Sequence, residues 1–166
     1  MSATGTRLPL NEARRLAGLV QDCIKGETYV VGSIRRMKAD VGDIEIIVHS
    51  DAAIDIPIGC GVLMPGTYET VKGGKKDWRY WQIRNVKDGF NVDLFRFDDL
   101  NRGSIMLIRT GPAEFSKRFV NCLRRRGLKH ADGYVRDNAG LLVPCPTEEI
   151  AFKLAGLQWV KSEDRE

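Results

Sequence analysis

The sequence predicts an α+β protein: a mixed β-sheet with helices on one side, followed by a small α+β C-terminal lobe. Three observations carry that expectation. An early stretch has apolar residues at helical spacing. Several β-branched and aromatic runs then alternate with period two, and from residue 106 onward helical stripes return in a basic setting. The expected division is therefore 1–105 for the sheet domain and 106–166 for the lobe.

In the helical stretch, Asn11 to Lys25, Leu16, Leu19, Val20, Cys23 and Ile24 share one face, with Asn11 as its expected cap and Gly26 as its stop. Thr28-Tyr29-Val30-Val31 reads as a buried strand entering Gly32-Ser33, with a short helix over Ile34 to Lys38. From Asp43 to Val48 the pattern alternates, Ile44, Ile46 and Val48 on one side and Asp43, Glu45 and Ile47 on the other. Residues 51–77 carry Pro57, Gly59, Gly61, Pro65, Gly66, Gly73 and Gly74 with Lys72, Lys75 and Lys76, and read as an exposed basic loop. Trp78 to Asn85 and Phe90 to Phe97 read as strands joined by a turn near Asp88-Gly89. Pro112 to Arg126 reads as a helix with Phe115, Phe119, Cys122 and Leu123 on its apolar stripe. Thr147-Glu148-Glu149 starts a last helix that runs to about Leu154, ahead of Gly156.

Composition narrows the class. A chain of 166 residues that is 43% hydrophobic and 29% charged can bury a core and is unlike a disordered chain. Its net charge of +4, from 26 basic and 22 acidic residues, permits an anionic partner without demanding one. Cys23, Cys60, Cys122 and Cys145 form no C-x-x-C pair and read as free thiols of a reducing compartment. No apolar run approaches the ~20 residues of a membrane span, and the N-terminus has no signal-peptide pattern. A monomer inside the cell, in the cytoplasm or in a host cell if viral, with no membrane partner, is expected.

Asp43 and Glu45, two apart on a strand, project from one face with attachment points ~6.5–7 Å apart. That suits two hard divalent cations bridged by carboxylate oxygens at ~3.5–4 Å. The pattern alone also fits a solvated strand face. A third acid, Asp93, sits within Phe90, Val92, Leu94, Phe95 and Phe97, where a charge is costly to bury without a partner. A metal shared with Asp43 and Glu45 is one partner; a salt bridge to Arg84 or Arg96, or an outward-facing edge, are the others. Gly32-Ser33 lets a ligand approach the backbone, offers a hydroxyl donor, and stands beside Arg35 and Arg36, either of which could grip a triphosphate tail. By itself Gly-Ser is a common turn; its value lies in standing ten residues ahead of the acidic pair.

Gly32-Ser33-Ile34-Arg35-Arg36, continuing to Gly42-Asp43-Ile44-Glu45-Ile46-Ile47-Val48, resembles the catalytic signature of the family X DNA polymerases, in the polymerase beta-like nucleotidyltransferase superfamily. Val92-Asp93-Leu94 is similar to the third-carboxylate strand. Thr110-Gly111-Pro112 with Phe115, Lys117 and Gly127-Leu128 resembles the Thr-Gly-Ser turn and helix of the nucleotide-selecting subdomain, and the tail from Thr147 to Glu166 resembles the family's C-terminal end. The likeness spans roughly residues 28–166 and is weakest over 51–77.

The resemblance implies a palm domain and a nucleotide-selecting lobe. Asp43, Glu45 and Asp93 would bind two magnesium ions, for which manganese can substitute, with Asp93 facing the primer 3′-hydroxyl. Gly32, Ser33, Arg36 and Gly42 would hold the β- and γ-phosphates of a dNTP; Thr110 and Gly111 would flank its sugar, and Ser116 stands where the family has a base-contacting asparagine. The reaction implied is template-directed DNA synthesis on a gapped or nicked primer-template. Glu45 departs from the usual aspartate, Asn91 stands where an arginine orients the third aspartate, and Ile108 and Arg109 replace an aromatic pair. Pro112 replaces serine at a peptide bond that is cis in the family, so a cis Gly111–Pro112 bond is expected. With 27 residues ahead of Thr28, neither an N-terminal lyase domain nor a helix-hairpin-helix DNA clamp is expected, a reduced form like that of the viral members.

Lys72, Lys75, Lys76 and Arg79, with Arg118, Arg124, Arg125, Arg126 and Lys129, are candidates for salt-dependent contact with DNA phosphates, or else a solvated helix face. Trp78, Tyr80 and Trp81 read as core aromatics, with base stacking as the alternative. Two rival functions remain: transfer of nucleotides to RNA ends, a protein or a small molecule, and a non-catalytic nucleotide- or nucleic-acid-binding module.

Overall fold

The computed structural model describes residues 6–54, 68–74, 78–86 and 88–165. The chain falls into two compact units, Met1–Arg96 and Phe97–Glu166. In the first, the order is β1 (Leu8–Pro9), α1 (Leu10–Asp22), β2 (Ile24–Lys25), β3 (Thr28–Val30), α2 (Gly32–Arg35), β4 (Asp40–Val41), β5 (Asp43–His49), β6 (Ala53–Ile54), β7 (Tyr68–Gly73), β8 (Tyr80–Asn85) and β9 (Asn91–Phe97). Five strands make one sheet in the order β3-β5-β9-β8-β7. Within it β3 runs antiparallel to β5, and β8 runs antiparallel to both β9 and β7.

Pro9, not Asn11, caps α1: its ring fixes φ at −58° and it lacks the N–H that a first turn would leave unpaired. The helix stops at Asp22 because Ile24 and Lys25 turn away to pair with Ile54 and Ala53. Its buried face, Ala13, Leu16, Ala17 and Val20, joins Ile44, Ile46, Val48, Ile83, Val92 and Leu94 in one core. Each large aliphatic side chain so buried contributes roughly 1.5–3 kcal/mol. Because side chains alternate along a strand, Asp43, Glu45, Gln82 and Asp93 project from the opposite face.

Residues 51–77 are not simply a loop, since their described part contains β6 and β7. The latter is an edge strand whose alternation is polar (Glu69, Thr70, Lys72) and whose Val71 is exposed, so no apolar period announces it. Lys72 therefore lies in a strand. Cys60, Lys75, Lys76 and the markers Pro57, Gly59, Gly61, Pro65 and Gly66 lie outside the described residues. At the β8–β9 turn Gly89 takes φ +74°, and the Asn85 side chain accepts from the Asp88 N–H at 2.8 Å.

The second unit holds α3 (Arg102–Thr110), α4 (Ala113–Arg125), β10 (Lys129–Ala131), β11 (Tyr134–Arg136), β12 (Leu142–Val143) and α5 (Glu148–Ala155). The sequence-read boundary at 105/106 falls inside α3, a helix that its glycine disguises. Gly103 presses against the start of α5 so closely that a β-carbon there would lie 2.0 Å from the Thr147 carbonyl oxygen. Strands β10, β11 and β12 form an antiparallel meander that the sequence analysis left unassigned. Leu107, Phe115, Phe119, Leu123, Val135, Ala151 and Phe152 make this unit's core. The ends of α5 are as expected: Thr147 Oγ1 accepts from the Ile150 N–H, and Gly156 closes the helix in the left-handed region.

The tail then folds back onto that core. Arg165, 2% exposed, donates to Glu148 Oε1 at 2.9 Å and to the Val160 carbonyl at 3.2 Å. Its guanidinium lies 5.4 and 5.3 Å from the ring centres of Phe115 and Phe152.

Candidate active site

Strand β3 ends at Val30; the next residue, Val31, donates its N–H to the Glu45 carbonyl at 2.9 Å, and Gly32 then turns with φ +65°. A β-carbon on Gly32 would fall 1.9 Å from Glu45 Oε2, so only glycine allows the turn and this carboxylate to coexist. Beside it, Ser33 Oγ is buried and has no hydrogen-bond partner among the described residues. That is a costly arrangement for a donor unless a ligand completes it.

Asp43 and Glu45, at positions i and i+2 of β5, are both half-buried, which is less open than a solvated strand face. Burial pushes the Asp43 carboxyl above its usual range, while the guanidiniums of Arg7 and Arg36 pull it back toward the charged form. Arg7 has no motif to announce it. It arrives because β1 pairs with β4, and it bonds the Asp40 side chain and, at 3.2 Å, the Asp40 carbonyl. One of its nitrogens would lie 3.6 Å from a β-carbon built on Gly42.

Asp93 is 7% exposed on β9, the central strand of five, so it is not on an outward-facing edge. The Tyr80 hydroxyl donates to its Oδ1 at 3.0 Å. Sequence reasoning treated Tyr80 only as a core or stacking aromatic and gave it no site role. Directly across the sheet from Asp93 is Gln82, and across from Gln82 is Lys72, so a cation, an amide and the acid form a row over three strands. Arg96, expected as one possible partner of Asp93, has its guanidinium 4.7 Å from the Trp78 ring centre.

An all-carboxylate donor set on neighbouring strands has the chemistry for hard divalent cations, and a cation beside Asp43 would offset the burial of its charge. In their present conformations the side chains are not drawn together: among the described residues no three His, Cys, Asp or Glu form a compact ligand set. Glu45, one methylene longer than aspartate, has its carboxylate against Gly32. Strand placement and donor chemistry thus fit a divalent cation, while the side-chain conformations are not those of an assembled centre.

In the second unit Thr110 is buried at the end of α3, Gly111 takes φ +64°, and the Gly111–Pro112 bond is cis, as expected from the sequence. Ser116, expected at a base, has its hydroxyl within bonding distance of the Ile108 carbonyl at 2.9 Å and the Pro112 carbonyl at 3.2 Å. A hydroxyl has one proton to donate, so that donor is spent on backbone carbonyls at the α3–α4 turn. Of the basic residues, Arg118, Arg124, Arg125 and Arg126 are all exposed; Arg118 packs 4.9 Å from the Phe115 ring centre, and the Arg126 guanidinium lies near Gly156. Arg124 and Lys129 line a cleft of about 400 Å³ with Leu128, His130, Ala131 and Asn138. Burial and the charge of Arg109 hold the His130 ring below its usual pKa.

No protein-family model matches the sequence, and no curated protein matches it. Solved structures do match. The chain is similar to polymerase beta of Leishmania infantum, solved as a ternary P/T complex, with a TM-score of 0.72 at 16% identity over 98% of this chain and 78% of that one. The chain therefore shares the fold of that polymerase beta.

Proposed function

We propose that this chain is a DNA-directed DNA polymerase of family X type that adds dNMP to a primer 3′-hydroxyl, in gap filling or repair. The observation that carries the reading is one sheet face, where two half-buried acids on β5 stand beside a buried acid on β9. Next to them is a turn whose glycine abuts one acid and whose serine hydroxyl has no hydrogen-bond partner among the described residues. The likeness of fold to a polymerase beta supports the same reading.

On this reading Asp43, Glu45 and Asp93 hold two magnesium ions, which when bound stabilise charge on the attacking and leaving oxygens. The backbone at Gly32 and Gly42 lets the triphosphate approach closely, and the Ser33 hydroxyl donates to a phosphate oxygen. Arg36 neutralises the tail. Asp93 faces the primer terminus; the primer 3′-hydroxyl gives up its proton to solvent as its oxygen attacks the α-phosphorus in line, the bond to the β-phosphate oxygen breaks, and pyrophosphate leaves. Thr110 and Gly111 are assigned to the sugar. With its hydroxyl bonded to backbone, Ser116 is assigned to shaping the turn between α3 and α4. Lys72, Arg118, Arg124, Arg125 and Arg126, with Lys75 and Lys76, are assigned to DNA phosphates.

Primer extension with labelled nucleotides and magnesium, on single-stranded, nicked and gapped DNA and on an RNA end, tests the proposal. Templated extension of DNA supports it. Transfer to the RNA end alone would replace it with the rival nucleotidyltransferase.

A further inference from the structure

Asp93 poses a physical problem. A carboxylate almost wholly removed from water needs donors, and one that must meet a reacting centre also needs its oxygens fixed in direction. The residue two before it in β9, Asn91, projects from the same face but carries no charge. One donor comes from the neighbouring strand. The Tyr80 hydroxyl reaches Asp93 Oδ1 at 3.0 Å, although Tyr80 faces Phe95 in the β8–β9 register and Gln82 faces Asp93.

The reach is diagonal, and the packing around the ring defines it. Tyr80 stacks on Phe95, its direct cross-strand partner, with ring centres 5.0 Å apart and planes 19° apart. That stack directs the phenol along the strand toward Asp93. Lys72, opposite Gln82 on β7, brings its ammonium to 5.7 Å from the Tyr80 ring centre. A cation there draws electron density from the ring and strengthens the O–H as a donor. The ring is thus held by Phe95 and polarised by Lys72, with its one polar atom on the acid.

From this we infer that Tyr80 is the positioning residue for Asp93: its hydroxyl fixes the direction of Oδ1, and with it the plane of the carboxylate that is to meet the metal and the primer terminus. The inference rests on the polymerase reading, in which Asp93 is a metal ligand. It assigns Tyr80 no contact with substrate; Tyr80 acts through Asp93, and Phe95 and Lys72 act through Tyr80.

The test compares the full chain with Tyr80→Phe, which keeps the ring and its stack and removes only the hydroxyl. Mn²⁺ binding is followed by electron paramagnetic resonance, in the presence of gapped DNA and a non-hydrolysable dNTP. Thermal unfolding confirms that the variant folds as the parent does. The expected result is Mn²⁺ affinity weakened by roughly 10–100-fold, the usual effect of losing the group that orients a ligand. Where product forms, the loss should fall on kcat and leave KM for dNTP unchanged. Unchanged Mn²⁺ affinity, or a loss confined to KM, overturns the assignment. A parent protein that binds Mn²⁺ but extends no primer defeats the polymerase reading without deciding Tyr80, whose effect on Mn²⁺ is still read. A parent that binds no Mn²⁺ defeats both.

Discussion

The carboxylate of Glu45 lies on the bare Cα of Gly32, in a space that a single added methyl group would fill to within 1.9 Å of Oε2. Two segments ten residues apart in sequence are thereby tied at one point, the turn that is to take the phosphates and the strand that carries the acids. The methyl of Gly32→Ala would collide with Glu45, and alanine would also strain at φ +65°. The variant should lose about 1–3 kcal/mol of stability, and its activity should fall by on the order of 100-fold through displacement of Glu45. Thermal unfolding and primer extension read the two effects separately.

The buried pair Glu148–Arg165 predicts a strong dependence on the tail. Arg165→Met removes this ion pair while Glu148 stays buried, and should cost about 3 kcal/mol. Joining it with Glu148→Leu should return part of that loss. Denaturant unfolding of the two single variants and the double variant measures the coupling.

A pH effect should come from Cys145, which is fully buried. Burial pushes its thiol up to about 11 from an ordinary value of 9.0. A raised folded-state value favours the protonated thiol in the native protein. The stabilisation is therefore complete below pH 9 and is lost as pH rises toward 11. The loss should be about 2 kcal/mol, and it should be missing from Cys145→Ala. Unfolding free energies of both proteins at pH 8 and pH 11 give the comparison.

The basic surface of α4 predicts a salt effect. Arg124→Ala combined with Arg125→Ala should weaken DNA binding and reduce the slope of log K against log salt by about two. Fluorescence anisotropy over a salt series measures it, and an unchanged slope would remove these arginines from the interface.

Much of the fold was legible because its signals are local. The helix stripe over 113–125, the alternation over 43–48 and the capping pair Thr147 and Gly156 each report a backbone state through nearby side chains. What escaped notice is held by distant partners. Strand β7 is an edge with polar alternation, and α3 carries a glycine that packing against Thr147 demands. The meander β10–β12 is made of strands of two or three residues, too short for a period to show. The site divides in the same way. Asp43 and Glu45 announce a shared face by spacing, and Asp93 by its cost among apolar neighbours. Arg7, just ahead of β1, and Tyr80, on β8, come from other segments, and no pattern within those segments points to Asp43 or Asp93.

The central claim, that three acids on one sheet face act as one centre for nucleotidyl transfer, is tested most directly by single-turnover incorporation of one dNMP into gapped DNA with magnesium. The parent is compared with Asp43→Ala, Glu45→Ala and Asp93→Ala at matched DNA occupancy. The account predicts that the parent incorporates the nucleotide and releases pyrophosphate, while each variant still binds DNA and loses on the order of 1,000-fold or more in rate. A variant that keeps the parent's rate, Asp93→Ala above all, would contradict it.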